Sequence, residues 1–252
     1  MNQLEFIHAM LKITKHKNFI LTPLLKEIKK GVNAVSVLNG DINFFPLRDY
    51  YIQSLFLNLT GFQEQKIKCI CWDIATNDYE YRRKLLNNDD KLGECSDINA
   101  KSKVYKMIFS KISEMDSNIL VQFDNNKKKI AEYNMKELKS IFDNTIFQYW
   151  FDKEYSCFKK NKLLKKTSCF AIKNKLLEGD LLNIYNSLYN QRNRLAHNTL
   201  SYQENTPTLK SLSELNINQN NYFVWIAILN LIDLIFMDLY GVYFDLLERY
   251  PY

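Results

Sequence analysis

Arg192, Asn193 and His197 fall within six residues of one another in the stretch LLNIYNSLYNQRNRLAHN. A neutral imidazole with a pKa near 6.5 can take the 2′-hydroxyl proton of RNA or assist the leaving 5′-oxygen. A guanidinium that is always charged can stabilise the phosphorane-like transition state of the same cleavage. RNA supplies its own nucleophile, so this chemistry asks for no metal and no cofactor. The residues concerned are scarce: the chain has 3 His and 6 Arg among 252 residues. That composition yields about 0.2 accidental Arg-x(4–6)-His matches, and roughly 0.02 when Asn must follow the Arg. The commonplace alternative is structural, because a His near a helix end also interacts with the helix dipole and an Arg at a helix edge is often only solvated.

These residues need a helix to carry them. Leu181, Ile184, Tyr185, Leu188 and Leu195 recur at helical steps and predict a helix over about Leu181 to His197 with the motif at its edge. On that helix Asn193 and His197 share a face, whereas Arg192 lies about 140° from His197. One straight helix therefore does not aim both side chains at one atom. Either it bends or ends here, or two copies of the chain face each other.

The segment Arg192-Asn193-Arg194-Leu195-Ala196-His197 resembles the Arg-x(4–6)-His signature of the HEPN superfamily, in which a polar residue often follows the Arg. Thr60-Gly61-Phe62, leading into a long helix with Glu64, is similar to the first core helix of some defence-associated members. The resemblance implies an α-helical bundle, a homodimer that brings two motif helices together, and metal-independent endoribonuclease activity of the toxin, abortive-infection or CRISPR-associated kind. Arg192 and His197 then take the catalytic positions and Asn193 the adjacent polar one. His197 is followed by Asn198 and Thr199, without the Tyr two positions on that marks toxins paired with nucleotidyltransferase antitoxins. A regulatory or antitoxin protein partner of some kind is part of the expectation.

The remaining elements read as helices. Only 6 Gly and 4 Pro leave little turn chemistry for an all-β fold, and 46% apolar with 14% aromatic residues rules out a disordered chain. Thr22-Pro23 predicts a helix start running to about Val37, and Phe45-Pro46 another. Thr60 with Gln63, and Asn134 with Glu137, have capping-box spacing. A helix follows the polar loop NNDDKLGECSD, and further helices are expected over about Leu163 to Leu177 and Tyr222 to Phe244. Two apolar-containing runs around Asp124-Asn125-Asn126 predict a small β-hairpin near residues 118–133. The expected fold class is all-α, mainly a helical bundle. Its organisation is an N-terminal helical segment 1–45 and a helical domain 46–252 with the inserted hairpin, or one single domain.

Charge and special residues narrow the partners. The net charge of +6 comes from 28 Lys, 6 Arg and 28 acids, with 28 Asn alongside, a bias of the kind A·T-rich coding produces. Between Lys153 and Lys175 stand eight Lys and one acid, Glu154, interleaved with Tyr155, Phe158 and Phe170. Lys159, Lys160, Lys162, Lys165 and Lys166, with Arg194, are the candidate RNA contacts, the rings a candidate stacking platform. An ordinary solvated face is the alternative. Lys127-Lys128-Lys129 reads as solubility, and the acids from Asp89 to Asp97 would repel RNA. Five Cys, an odd number without a CxxC pair, and a start interrupted by charges predict a reduced, cytoplasmic protein with buried thiols and no signal peptide. Asp233 and Asp238 in the apolar run Tyr222 to Phe244 argue for a core helix over a membrane span. Asp49 with Glu64-Gln65-Lys66 echoes metal-dependent nucleases, but those carboxylates belong on adjacent strands and both segments here read as helices. A non-catalytic helical module that binds RNA or a protein is the rival reading.

Overall fold

The computed structural model describes residues 16–36, 47–86, 95–116, 118–173, 175–196 and 221–249, except for the side chains of residues 119–122. After a helical stretch over 16–20, the described helices are α1 (Leu24–Ser36), α2 (Arg48–Asn77), α3 (Tyr79–Leu86), α4 (Ile98–Met115), α5 (Ile119–Phe142), α6 (Ile146–Trp150), α7 (Asp152–Lys160), α8 (Asp180–Ala196) and α9 (Tyr222–Arg249). Between α7 and α8 lie two 3₁₀ turns, Leu163–Lys165 and Thr167–Cys169, and an antiparallel hairpin of β1 (Phe170–Ile172) and β2 (Lys175–Leu177), paired Phe170 to Leu177 and Ile172 to Lys175. The fold is all-α with one small hairpin.

α9 is the axis of the bundle. It packs against α1, α2, α4, α5, α7 and α8, and residues from Phe223 to Ile232 are buried without a break. It is long and apolar enough to cross a membrane, and most of that stretch is buried inside the protein. Three of its buried polar residues, Asn230, Asp233 and Tyr240, have inward partners. Asp233 Oδ1 accepts from Lys66 Nζ at 2.5 Å, and Oδ2 accepts from the backbone N–H of Leu24 at 2.8 Å. Lys66 also donates to the Thr22 carbonyl at 2.8 Å. Burial pushes the Lys66 pKa down and that of Asp233 up, and the attraction between them opposes both. The side chain that accepts at the start of α1 therefore comes from α9 and not from Thr22, whose hydroxyl donates back to the Asn18 carbonyl at 2.7 Å. Asn230 Nδ2 donates to Asn134 Oδ1 at 2.8 Å, and Tyr240 donates to Asp73 at 2.6 Å.

Four sequence expectations are corrected. The segment 118–133 is not a hairpin, because α5 runs through it. Phe123, Ala131, Met135, Leu138 and Phe142 form its buried stripe, and Asp124 to Lys127 at 2.5 Å is an i,i+3 ion pair on its solvent face. The hairpin lies instead at 170–177, inside the helix expected over Leu163 to Leu177. There two three-residue strands pair antiparallel, and Ala171, with φ of 50°, cannot continue a helix. Thr60 and Gln63 do not cap: α2 is continuous for 30 residues, with Thr60 donating to the Leu57 carbonyl and Gln63 to the Leu229 carbonyl. Asn134 likewise sits mid-helix and donates to the Ala227 carbonyl at 3.0 Å. In each of these last cases the apolar stripe continues past the polar residue, which turns to α9 or back along its own helix instead of starting a new one.

α8 begins one residue before the expected Leu181. The helix expected after the polar loop is α4, and Asp97 Oδ1, accepting from the N–H of Ala100 at 2.8 Å, caps it. Gly179, with φ of 58°, makes the turn from β2 into α8 in a region that costs other residues more.

Candidate functional site

α8 buries Leu181, Ile184, Tyr185 and Leu188, the i, i+3, i+4, i+7 stripe that seats it against the core. Leu195 is half-buried, so the last turn rises toward the surface and carries Arg192 and Asn193 with it. Arg192 reaches across to α2, where its Nη2 meets Glu64 Oε1 at 3.0 Å, the two side chains 22% and 14% exposed. Nη1 donates to Asn193 Oδ1 at 3.1 Å. The Nε of Arg192 is buried and has no hydrogen-bond partner. Arg194 points to solvent. His197 lies outside the described residues, as do Asp89, Asp90, and the loop near residues 201–211.

The chain on either side of residues 197–220 is held in place. Gln191 Nε2 donates to the Tyr222 hydroxyl at 3.2 Å, joining the last turn of α8 to the first residue of α9. Burial pushes the Tyr222 hydroxyl up, and Gln191 and Gln53 hydrogen bonds oppose the shift.

Behind the Arg192 to Glu64 pair lies a second cation that sequence reading did not single out. Lys101 of α4 is 1% exposed and donates to the Cys95 carbonyl at 2.8 Å. Burial lowers its pKa to about 8, and the charges that act on it are Glu64, then Cys95, Arg192 and Asp97. The Cys95 thiol is held below its ordinary value first by a hydrogen bond with the Cys71 thiol and then by Lys101 and Lys68. Burial, with Glu64 adding to it, drives Tyr185 well up, and its hydroxyl donates to the Ser96 carbonyl at 3.0 Å. The helical spacing of Lys101 with Val104, Tyr105 and Ile108 is the sequence signal that this lysine faces the core.

No protein-family model, curated protein or solved structure matches this chain.

The lysine segment divides on folding. Tyr155, Phe158 and Phe170 are buried in the core, so the expected stacking platform is not there: no ring face remains for a base. Lys160, Lys162, Lys165 and Lys166 stay exposed, and both 3₁₀ turns that follow α7 pack against α8. Lys159 is exposed too, but it stands 3.6 Å from Asp143 and over the Tyr155 ring. The Asp49 and Glu64 arrangement also resolves. Both lie on α2, fifteen residues apart, which at 1.5 Å per residue is about 22 Å and too far to share an ion. Among the described residues no three His, Cys, Asp or Glu side chains converge, and no disulfide joins any of the five cysteines, three of which are buried.

Proposed function

We propose that this protein is a metal-independent HEPN-type endoribonuclease that acts as a homodimer in antiviral defence or as a toxin. The observation that carries the reading is the setting of Arg192. Its guanidinium is fixed by Glu64, flanked by Asn193 and still partly open to solvent, five residues before His197. A cation so held loses little freedom when a phosphate arrives.

In this mechanism His197 takes the 2′-hydroxyl proton, the 2′-oxygen attacks the adjacent phosphorus as the bond from phosphorus to the 5′-oxygen breaks, and the 5′-oxygen leaves with a proton from the imidazolium or from water. Arg192 stabilises the charge gathered on the phosphoryl oxygens, and Asn193 orients the guanidinium or the phosphate. The products are a 2′,3′-cyclic phosphate and a 5′-hydroxyl. Arg194 with Lys160, Lys162, Lys165 and Lys166 supplies contacts to the RNA backbone, and a second copy brings the opposing motif helix.

The test incubates purified full chain with a panel of structured RNAs in the presence of EDTA. Cleavage is expected, with cyclic-phosphate ends, and His197→Ala or Arg192→Ala lowers kcat by about a hundredfold or more. Wild type and His197→Ala equal in activity, or equally inert, would overturn the assignment.

One observation favours a second reading, a non-catalytic helical module that binds RNA or a protein. The half-buried Arg192 to Glu64 ion pair gives Arg192 structural work between α8 and α2. On that reading Arg192→Ala lowers stability, and RNA, if bound, stays intact.

A further inference from the structure

Two opposite charges on the packed pair α5 and α9 lack partners that like residues on the same helices have. On α9, Asp233 is held by Lys66, whereas Asp238 accepts from no donor among the described residues. On α5, Lys127 pairs with Asp124 and Lys128 with Glu132, whereas Lys129 meets no acid among the described residues. Both lone charges line one cleft of about 500 Å³ between the two helices. Asn126, Lys129 and Ile130 form one wall at i, i+3 and i+4, and Leu234, Met237 and Asp238 form the other at the same spacing.

The cleft is mainly apolar. Ile130, Leu234 and Met237 are each half-buried, so they leave an apolar concave surface that nothing among the described residues covers. Asp238 is half-buried beside them, and a carboxylate in such surroundings gains more from a cation than one in open water does. A ligand that is only a cation would be repelled by Lys129. One acid and one base that do not meet, set in an apolar wall, instead match a ligand with both charges on an apolar body. Packed helices stand about 8–10 Å apart and the stem of Lys129 is flexible, so the two ligand charges lie close together. The volume falls within the range of small-molecule sites, about 300–1,000 Å³. We propose that this cleft binds a small apolar zwitterion of the α-amino acid class. Its ammonium donates to Asp238, its carboxylate accepts from Lys129 and the Asn126 amide, and its side chain lies against Ile130, Leu234 and Met237. Neither wall belongs to α2 or α8, so the site does not rest on the ribonuclease reading.

The experiment follows backbone amide signals by NMR while the isotope-labelled full chain is titrated with leucine, and separately with methionine and phenylalanine, to about 10 mM. The expected result is a saturable shift confined to residues lining the cleft, on both α5 and α9. Leucinamide, which keeps only the ammonium, and 4-methylpentanoate, which keeps only the carboxylate, should each bind about tenfold or more weakly than leucine, because each leaves one charge-assisted hydrogen bond unmade. No saturable shift with any of the three amino acids overturns the proposal. So does leucinamide or 4-methylpentanoate binding as tightly as leucine, since one charge would then suffice.

Variants assign the two charges. Asp238→Asn and Lys129→Met should each weaken leucine binding about tenfold or more, whereas Lys127→Met, on the same helix but paired with Asp124, should leave it unchanged. Binding that survives Asp238→Asn at full strength overturns the proposal. If Asp238→Asn does not fold, Lys129→Met and the two leucine analogues decide in the same way.

Discussion

Two buried lysines show how one residue type serves opposite ends. Lys66 has a full counter-charge in Asp233 and two hydrogen bonds, so it acts as a bolt between α1, α2 and α9. Removing one partner of such a pair leaves the other charge stranded. Asp233→Asn should therefore cost about 3–5 kcal/mol in a urea titration, with much of the loss recovered in the double variant Lys66→Met, Asp233→Leu. Among the described residues Lys101 has no paired carboxylate, only the Cys95 carbonyl, and its pKa, lowered by burial to about 8, makes stability depend on pH. Below that value both folded and unfolded chains hold the proton, and the folded state bears the cost of burying it. As pH rises from about 8 toward about 10.5 the unfolded chain binds more protons, so folding becomes more favourable, by up to about 3 kcal/mol. The thiols of Cys69 and Cys157 and the hydroxyls of Tyr105, Tyr155, Tyr185 and Tyr240 are held above their ordinary values and act the other way. They contribute stability that is lost once the unfolded groups ionise, above about pH 9 for the thiols and about pH 10 for the tyrosines. The urea midpoint is thus expected to rise from pH 7 toward pH 9 and fall beyond 10, and Lys101→Met should flatten the rise.

Elements were legible where an apolar stripe was long and misread where a polar residue interrupted it. The stripe of α8 could be read from Leu181, Ile184, Tyr185 and Leu188, and so could the apolar run of α9. Thr60, Gln63 and Asn134 looked like cap residues because Ser, Thr, Asn and Gln carry the same hydrogen-bonding groups at a helix start and in a buried cross-link. For Gln63 and Asn134 only the position of α9, over 90 residues away, decides between the two, whereas Thr60 bonds back along its own helix. The same limit applies to the site. Arg192 and Asn193 could be found from type and spacing, whereas the Glu64 pairing spans 128 residues and Lys101 was one of 28 lysines in a lysine-rich chain. A true cap does exist where none was expected. Asn221 Oδ1 accepts from the N–H groups of Phe223 and Val224, while its Nδ2 donates to the Glu154 carbonyl at 2.7 Å. It both starts α9 and fastens it to α7. Asn221→Ala should cost about 1–2 kcal/mol, seen in thermal unfolding as a fall of a few degrees.

At the scale of the whole molecule everything converges on α9. Phe223 alone meets the rings of Phe142, Phe151, Tyr155 and Phe158, with centroids 5.0–6.2 Å away. A chain stopped at residue 220 lacks the surface against which six helices pack, and it should show neither a cooperative urea transition nor dispersed amide signals. The central helix is also the last of the described elements to be synthesised. Chains emerge from the ribosome at about 5–20 residues per second, so α1 through α8 wait through the translation of residues 197–249 with their apolar faces uncovered. During that interval α2 and α8, which hold Glu64 and Arg192, have no axis to register them. Assembly of the Arg192 setting is thereby tied to the completion of α9, and a nascent chain cannot present that setting until its own core is closed.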